Sequence, residues 1–278
     1  MLNALASLVP CLDYRLTFVP ESAIIHSMTH ENLANFGGVS LCGGKGSRIE
    51  SITQAQGGMP KPLLEVGGKK LIRYTTDLMD PKYVPQLVFT VGHKAEDIRG
   101  WVESADLPYR DITFAPQVAP GALRAMLDAM PQVSQDQAIV ANADEIRLNL
   151  NLADAINFHK HTGRLATLIT THTNNLSRHR VIERREKDGL VVSAKKQPDA
   201  YRNMPETIGL VNAGIIIFDK AAIEHADYNH DIDWSGLLDP LSDAGQLAAY
   251  VAPDMTYFNV GTPEEYFEAE NFLIQNKR

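Results

Sequence analysis

The stretch LCGGKGSRIESITQAQGGMPKPLLEVGG, residues 41–68, decides how this chain is read. It begins as the end of an apolar strand and breaks at Gly43, Gly44 and Gly46, residues without a Cβ that let the backbone turn tightly and approach a ligand. A strand that opens into amides freed by such a turn makes a cradle for phosphate oxygens. Arg48 and Lys61 follow as a planar fork and a point charge, the two kinds of cation suited to an α-phosphate and a leaving pyrophosphate. Two other glycine-loop readings fail on single positions. A dinucleotide fingerprint needs a glycine where Ile49 stands, and a P-loop needs Ser or Thr after Lys45, where Gly46 stands.

Outward from this segment, short apolar runs alternate with helical ones. Gly38–Cys42, Gln86–Val91, Asp111–Ala115, Gln137–Asn142 and Ala166–Thr171 read as strands, and Lys70–Met79, Glu96–Val102, Gly121–Met130 and Ala153–His161 as helices. Such alternation predicts a three-layer α/β fold around a mostly parallel, Rossmann-like sheet. Beyond Thr171 the rhythm changes. Val181–Glu183, Leu190–Lys195 and Val211–Phe218 are strands without long helices between them, which predicts an antiparallel or mixed extension of the sheet. A last helix over Pro263–Ile274 has proline in its first turn and Glu264 and Glu265 behind it, as a positive helix start favours. Residues 1–35 read as an N-terminal extension, with one extra strand at Tyr14, Leu16 and Phe18 and an alternative start at Met28; residues 36–278 read as a single domain.

Composition narrows the function classes. With 44% hydrophobic and 22% charged residues the 278-residue chain has an ordinary globular make-up. A net charge of −8 speaks against a broad phosphate-tracking surface for nucleic acid. Two cysteines, Cys11 and Cys42, stand in no metal-ligand spacing, which fits a reducing cytoplasm, and no apolar run reaches the roughly 18 residues of a membrane span. No lone serine stands in a G-x-S-x-G elbow. His159 and His161 lie on different faces of one predicted helix and carry no assigned chemistry.

From Phe36 onward the chain resembles the sugar-phosphate nucleotidyltransferases, whose signature is G-G-x-G-x-R, then P-K-P-L and a Val-Gly-Gly turn. The resemblance implies their nucleotide-diphospho-sugar transferase fold. It also implies transfer of a nucleotidyl group from a nucleoside triphosphate to a sugar 1-phosphate, with Arg48 and Lys61 as catalytic residues. Leu41, Gly43, Gly44, Gly46, Gln117 and Gly121 would bind the nucleotide, Asn212 (in VNAG) and Lys196 the sugar phosphate. Mg²⁺ is the implied cofactor, held by Asp144 of NADE and by Asn259 of YFNVGTPEEY. By overall likeness GTP with a mannose-type or heptose 1-phosphate leads, with other bases, other sugars and self-association open.

Several positions depart from the family pattern. Ala143 replaces a glycine beside Asp144, Ala119 and Pro120 replace a Gly and a Thr near the base, and the family's Glu-Lys-Pro becomes Lys196, Gln197, Pro198. The link between Arg48 and Lys61, containing Gln56, Gly57 and Gly58, is longer than usual. Asn259 stands where the family has aspartate; Asp231 and Asp233 are the carboxylates that could compensate, and the simpler reading of their segment is a solvated loop and helix cap. Two unit charges about 4 Å apart in an effective dielectric of about 20 interact by about 4 kcal/mol, so a lost carboxylate beside a divalent ion matters. Two alternatives stay open: a nucleotide- or sugar-phosphate-binding regulatory homologue with weak catalysis, and a transferase with a non-sugar acceptor such as phosphocholine.

Overall fold

The structure, a computed structural model, describes residues 35–173, 176, 179–196, 208–227 and 233–276. The expected strand at Tyr14–Phe18, Met28, Gln197, Pro198 and Asp231 lie outside the described residues. In chain order the first elements are β1 (Phe36–Leu41), α1 (Glu50–Ala55), β2 (Glu65–Val66), β3 (Lys69–Lys70), α2 (Leu71–Leu78), β4 (Gln86–Val91) and α3 (Ala95–Ser104). Then come β5 (Asp111–Pro116), α4 (Ala122–Ala129), β6 (Gln137–Asn142), β7 (Glu145–Leu148), α5 (Leu152–Thr162) and β8 (Ala166–Thr173). The chain continues through β9 (Arg180–Arg184), β10 (Val191–Lys196), β11 (Gly209–Asp219), α6 (Ser235–Asp243), β12 (Leu247–Val251), β13 (Thr256–Asn259) and α7 (Pro263–Gln275).

One nine-stranded sheet holds the molecule together, in the order β10-β9-β11-β6-β1-β4-β5, with β8 on β11 and β12 on β8. Strands β6, β1, β4 and β5 are parallel, and β11 runs against β6, β8 and β9. The expected parallel core with an antiparallel extension is therefore present, and its switch falls at the β6–β11 edge.

The parallel strands are apolar on both faces because helices cover both. Alternate residues feed two cores. Phe36, Leu87, Phe89 and Ile139 pack on one side with Ile72 of α2, Ile98 of α3 and Ile156 of α5. Val39, Val88 and Val140 pack on the other with Leu123 and Met126 of α4 and Leu237 and Leu241 of α6. A third, smaller core gathers Ile49, Leu64, Tyr74, Ile146, Val260 and Tyr266, and it fastens α7 and the β7–β13 pair to the main body.

The differences from the sequence reading have local causes. The first strand begins at Phe36 rather than Gly38 and stops at Leu41, so Cys42 is already loop. β2 and β3 form a hairpin whose two-residue turn is Gly67-Gly68, both left-handed at φ 61° and 77°, as a tight hairpin of this kind requires. Helix α1, the two-residue β2 and β3, and the pair β7–β13 are too short to show periodicity. The final helix starts as expected: Thr262 caps it by accepting from Glu265 N, with Pro263 in the first turn.

Candidate active site

β1 and β6 run parallel in register, Leu41 beside Asn142, so both strands end at the same level. From there one chain enters the Cys42–Gly46 loop and the other enters Ala143–Asp144, at the carboxyl end of the sheet where α/β proteins bind ligands. The two exits are tied together. Ala143 N donates to Leu41 O at 3.2 Å, and Cys42 N donates to Thr90 O at 3.2 Å. Gly46 is left-handed at φ 64°, and its missing side chain lets Lys61 pass 3.0 Å from where a Cβ would be. A Cβ on Gly43 would come within 2.0 Å of Gln117 Oε1, so the glycine loop lies directly against the loop after β5.

These loops surround an open cleft of about 470 Å³. Of the twelve positions singled out from sequence, ten line it: Leu41, Gly43, Gly44, Gly46, Arg48, Lys61, Gln117, Gly121, Asp144 and Asn259. Asn212 is not among them: it sits in β11 with its Oδ1 accepting from Gly214 N at 2.9 Å. The backbone of Lys196 ends β10 opposite Arg180. Asp233 stands at the entrance to α6, accepting from Trp234 N at 2.7 Å, away from the cleft lining.

Lys61 opens a one-turn 3₁₀ helix between Pro60 and Pro62, whose fixed φ angles stiffen the segment. It is buried, and its Nζ donates to Asp144 Oδ2 at 2.5 Å. Burial opposes ionisation of Asp144, but the charge and hydrogen bond of Lys61, with Arg147 behind, outweigh it and hold the carboxyl below its ordinary range. Exposed Arg48 reaches towards the turn after Asn259: its Nη2 lies 3.5 Å from the place of a Cβ on Gly261.

Asn259 arrives through the β7–β13 pair, where it lies opposite Glu145, and Val260 N donates to Asp144 O at 3.1 Å. The carboxylate of Asp144 and the carboxamide oxygen of Asn259 are hard oxygen donors of the kind Mg²⁺ takes. Among the described residues no group of three or more His, Cys, Asp or Glu forms a metal cage. Two protein oxygens with substrate phosphate and water completing the shell fit Mg²⁺, which dehydrates reluctantly. Glu145 is not a free carboxylate in place of the missing aspartate. It accepts from Asn142 Nδ2 at 2.8 Å, from Arg147 Nη2 at 2.6 Å and from the Tyr257 hydroxyl, and burial pushes its pKa up.

The long link between Arg48 and Lys61 folds away from the cleft. Its extra length goes into α1 and a turn at Gly57 and Gly58. The turn is held by Gln56, which bonds to Glu65 N and O and to the Tyr266 hydroxyl, and by Lys94, which donates to Gly58 O. Sequence reasoning missed Lys45, Ser47, Asn142, Glu145 and Gly261, all of which line the cleft. Lys45 had a visible signal as the charged residue inside the glycine run. Glu145 had none, because its strand partner lies near the other end of the chain.

The cleft thus joins a glycine loop at the carboxyl end of a doubly wound sheet to a lysine–aspartate pair and a second cation, Arg48. The chain belongs to the nucleotidyl transferase family, whose model matches residues 37–276. The resemblance to sugar-phosphate nucleotidyltransferases and the expected fold class are both borne out. Similar proteins include a UTP–glucose-1-phosphate uridylyltransferase of Synechocystis, 23% identical over 244 residues that span 82% of this chain and 61% of the relative. Another is a probable mannose-1-phosphate guanylyltransferase 3 of Oryza sativa, 23% identical over 243 residues, 86% of this chain and 64% of the relative. The chain thus spans a little over three fifths of the length of these curated relatives. Among solved structures, HddC from Yersinia pseudotuberculosis complexed with GMP-PN matches at TM-score 0.65 and 22% identity, over 85% of this chain and 99% of that one. That likeness shows a shared fold.

Proposed function

We propose that this chain transfers a nucleotidyl group from a nucleoside triphosphate to a sugar 1-phosphate. The observation that carries the reading is the buried Lys61 paired with Asp144 in the same cleft as Gly43–Gly46. An oxygen of the acceptor phosphate attacks the α-phosphorus, a new P–O bond forms, the bond to the β-phosphate breaks, and pyrophosphate leaves. No covalent enzyme intermediate is needed. The glycine-loop amides hold phosphate oxygens, and Arg48 and Lys61 offset the negative charge that grows on them. Asp144 and Asn259 would hold Mg²⁺, which when bound neutralises phosphate charge. Gln117 and Gly121 would contact the base, and Asn212 with Lys196 would place the acceptor. Supplying fixed groups that need no reorganisation is the main thing such a site contributes.

GTP is the first triphosphate to try, since HddC was solved with GMP-PN and mannose-1-phosphate guanylyltransferases are among the similar proteins. UTP follows, because the Synechocystis relative is a uridylyltransferase. A pyrophosphate-release matrix of all four triphosphates against sugar 1-phosphates, with phosphocholine included, tests the reading. Release with one sugar 1-phosphate supports it. Triphosphate binding without release for any acceptor overturns it in favour of a regulatory binding role, and release with phosphocholine alone changes the acceptor class.

A further inference from the structure

β7 carries two charged residues on its inner side. Glu145 and Arg147 are two apart in a strand, so their side chains point the same way, and they are only 7% and 5% exposed. The guanidinium of Arg147 engages all three of its nitrogens. Nε donates to Ala213 O at 2.5 Å, Nη1 to Asn142 O at 3.2 Å and Glu145 O at 3.3 Å, and Nη2 to Glu145 Oε2 at 2.6 Å and Gly214 O at 2.9 Å.

The four carbonyls come from two segments. Asn142 and Glu145 bracket Asp144, while Ala213 and Gly214 follow Asn212 in β11. The ladder between β11 and β6 begins only at Ile215, opposite Ala141, so Arg147 carries the tie beyond the ladder's end. Here β11 also bulges against β8: Asn212 lies opposite Thr170, and the next pairing is Ile216 with Leu168. In the bulge Gly214 is left-handed at φ 64°, and a Cβ on it would stand 1.9 Å from Glu145 Oε2 and 2.6 Å from Arg147 Nη2. Bulge, glycine and buried pair fit as one unit.

We infer that Arg147 is a positioning residue that sets the separation between Asp144 in the cleft and the β11 segment at Asn212, which lies beyond the cleft lining on the side where the proposed reaction places the acceptor. Only a planar fork reaches carbonyls on both sides while pairing with a carboxylate, and Glu145 makes its burial tolerable by neutralising it. The inference rests on the transfer reaction proposed above, because in-line displacement requires the acceptor oxygen to be held against the α-phosphorus.

Three variants test it: Arg147→Lys, Arg147→Met, and the double variant Arg147→Met with Glu145→Leu. The single methionine variant leaves a buried carboxylate without its partner and is the one most prone to unfold; the double variant removes both charges. In the double variant and in Arg147→Lys, amides of residues 211–215 exchange with deuterium at least about tenfold faster than in the wild type. In both, kcat/KM for the acceptor falls about a hundredfold. In Arg147→Lys, which leaves the cleft-lining Glu145 in place, affinity for the triphosphate stays within about threefold, a shift under 1 kcal/mol. Unchanged exchange at 211–215 together with unchanged acceptor kinetics overturns the inference, and so does an equal loss of triphosphate and acceptor binding, which marks a general structural role. If the wild type transfers to no acceptor, the proposed reaction falls. The exchange measurement then decides the tie across β7 and β11 by itself: faster exchange in the variants upholds it and unchanged exchange overturns it.

Discussion

The glycine loop in the cleft and the β11 segment beyond it are held by different means. At the loop, Gly43, Gly44 and Gly46 offer backbone at the end of β1, and what matters most at Gly43 and Gly46 is the absence of side chains. β11 is held in place by side chains held in turn by others: Arg147 on Ala213 and Gly214, Glu145 on Arg147, Asn142 on Glu145. A backbone cradle needs few residue identities, all close together in sequence. A side-chain scaffold needs several complementary identities from distant segments, and it can be rebuilt as a set. The family signature is accordingly readable in the glycine loop and the Pro-Lys-Pro corner, while the departures are spread along the chain, at Ala119, Pro120, Ala143, Lys196 and Asn259.

The largest test of that contrast is removal of the charges beside the glycine loop. Lys61→Ala and Asp144→Ala should each lower pyrophosphate release about a thousandfold with the circular dichroism spectrum unchanged. Near-normal rates in either variant would remove the Lys61–Asp144 pair from the chemistry.

The second test asks whether the antiparallel side is the acid-sensitive one. His159 of α5 is buried beside Phe36, with its Nδ1 2.9 Å from Thr167 Oγ1 of β8. Burial pushes its pKa down to about 4, with Asp219 opposing and Lys160 adding to the effect. A histidine with a depressed folded-state pKa is protonated first in the unfolded chain. Its neutral form therefore favours the fold fully above the unfolded value of 6.5, and that contribution is lost as pH falls towards 4, by about 3 kcal/mol in all. Urea unfolding across this range should show the loss, and His159→Gln should flatten the slope; an equally steep slope in the variant assigns the sensitivity elsewhere.

Gly43→Ala comes next. Its Cβ would displace the Gln117 carboxamide, which is otherwise held by Nε2 donating to Ala119 O at 2.8 Å. KM for the triphosphate should rise about tenfold to thirtyfold, roughly 1.4 to 2 kcal/mol, with little change in melting temperature. A fall in stability without a change in KM would show the contact to be packing only.

The smallest expected effect is that of Asn259→Asp. A carboxylate in place of the carboxamide should lower the Mg²⁺ concentration for half-maximal activity by roughly three- to tenfold. An unaltered metal titration would put Asn259 outside the metal site.

How far the site was legible follows from distance along the chain. The glycine break, the Pro-Lys-Pro corner and the strand end at Asn142–Asp144 are local signals, and the structure brings these residues into one cleft. The sheet was legible for the same reason: two-sided apolar strands such as Gln86–Val91 advertise burial between helices. Asn212 was picked from a local motif but turns its side chain onto its own backbone. Arg147 had no local signal, since its partners are spread over three strands, β6, β7 and β11.

What the sequence determined by itself is the class of fold and the glycine-loop and Pro-Lys-Pro side of the cleft, because glycine freedom, proline stiffness and apolar alternation act within a few residues. Only the tertiary structure decided three things. β13 lies on β7, so that Asn259 stands beside Asp144. The long link after Arg48 is clamped by Gln56 and Lys94 outside the cleft. One arginine joins the end of β6 at Asn142 to the β11 bulge at Gly214. Each depends on pairing between residues remote in sequence, where the free energy comes from mutual fit and no single segment carries the pattern.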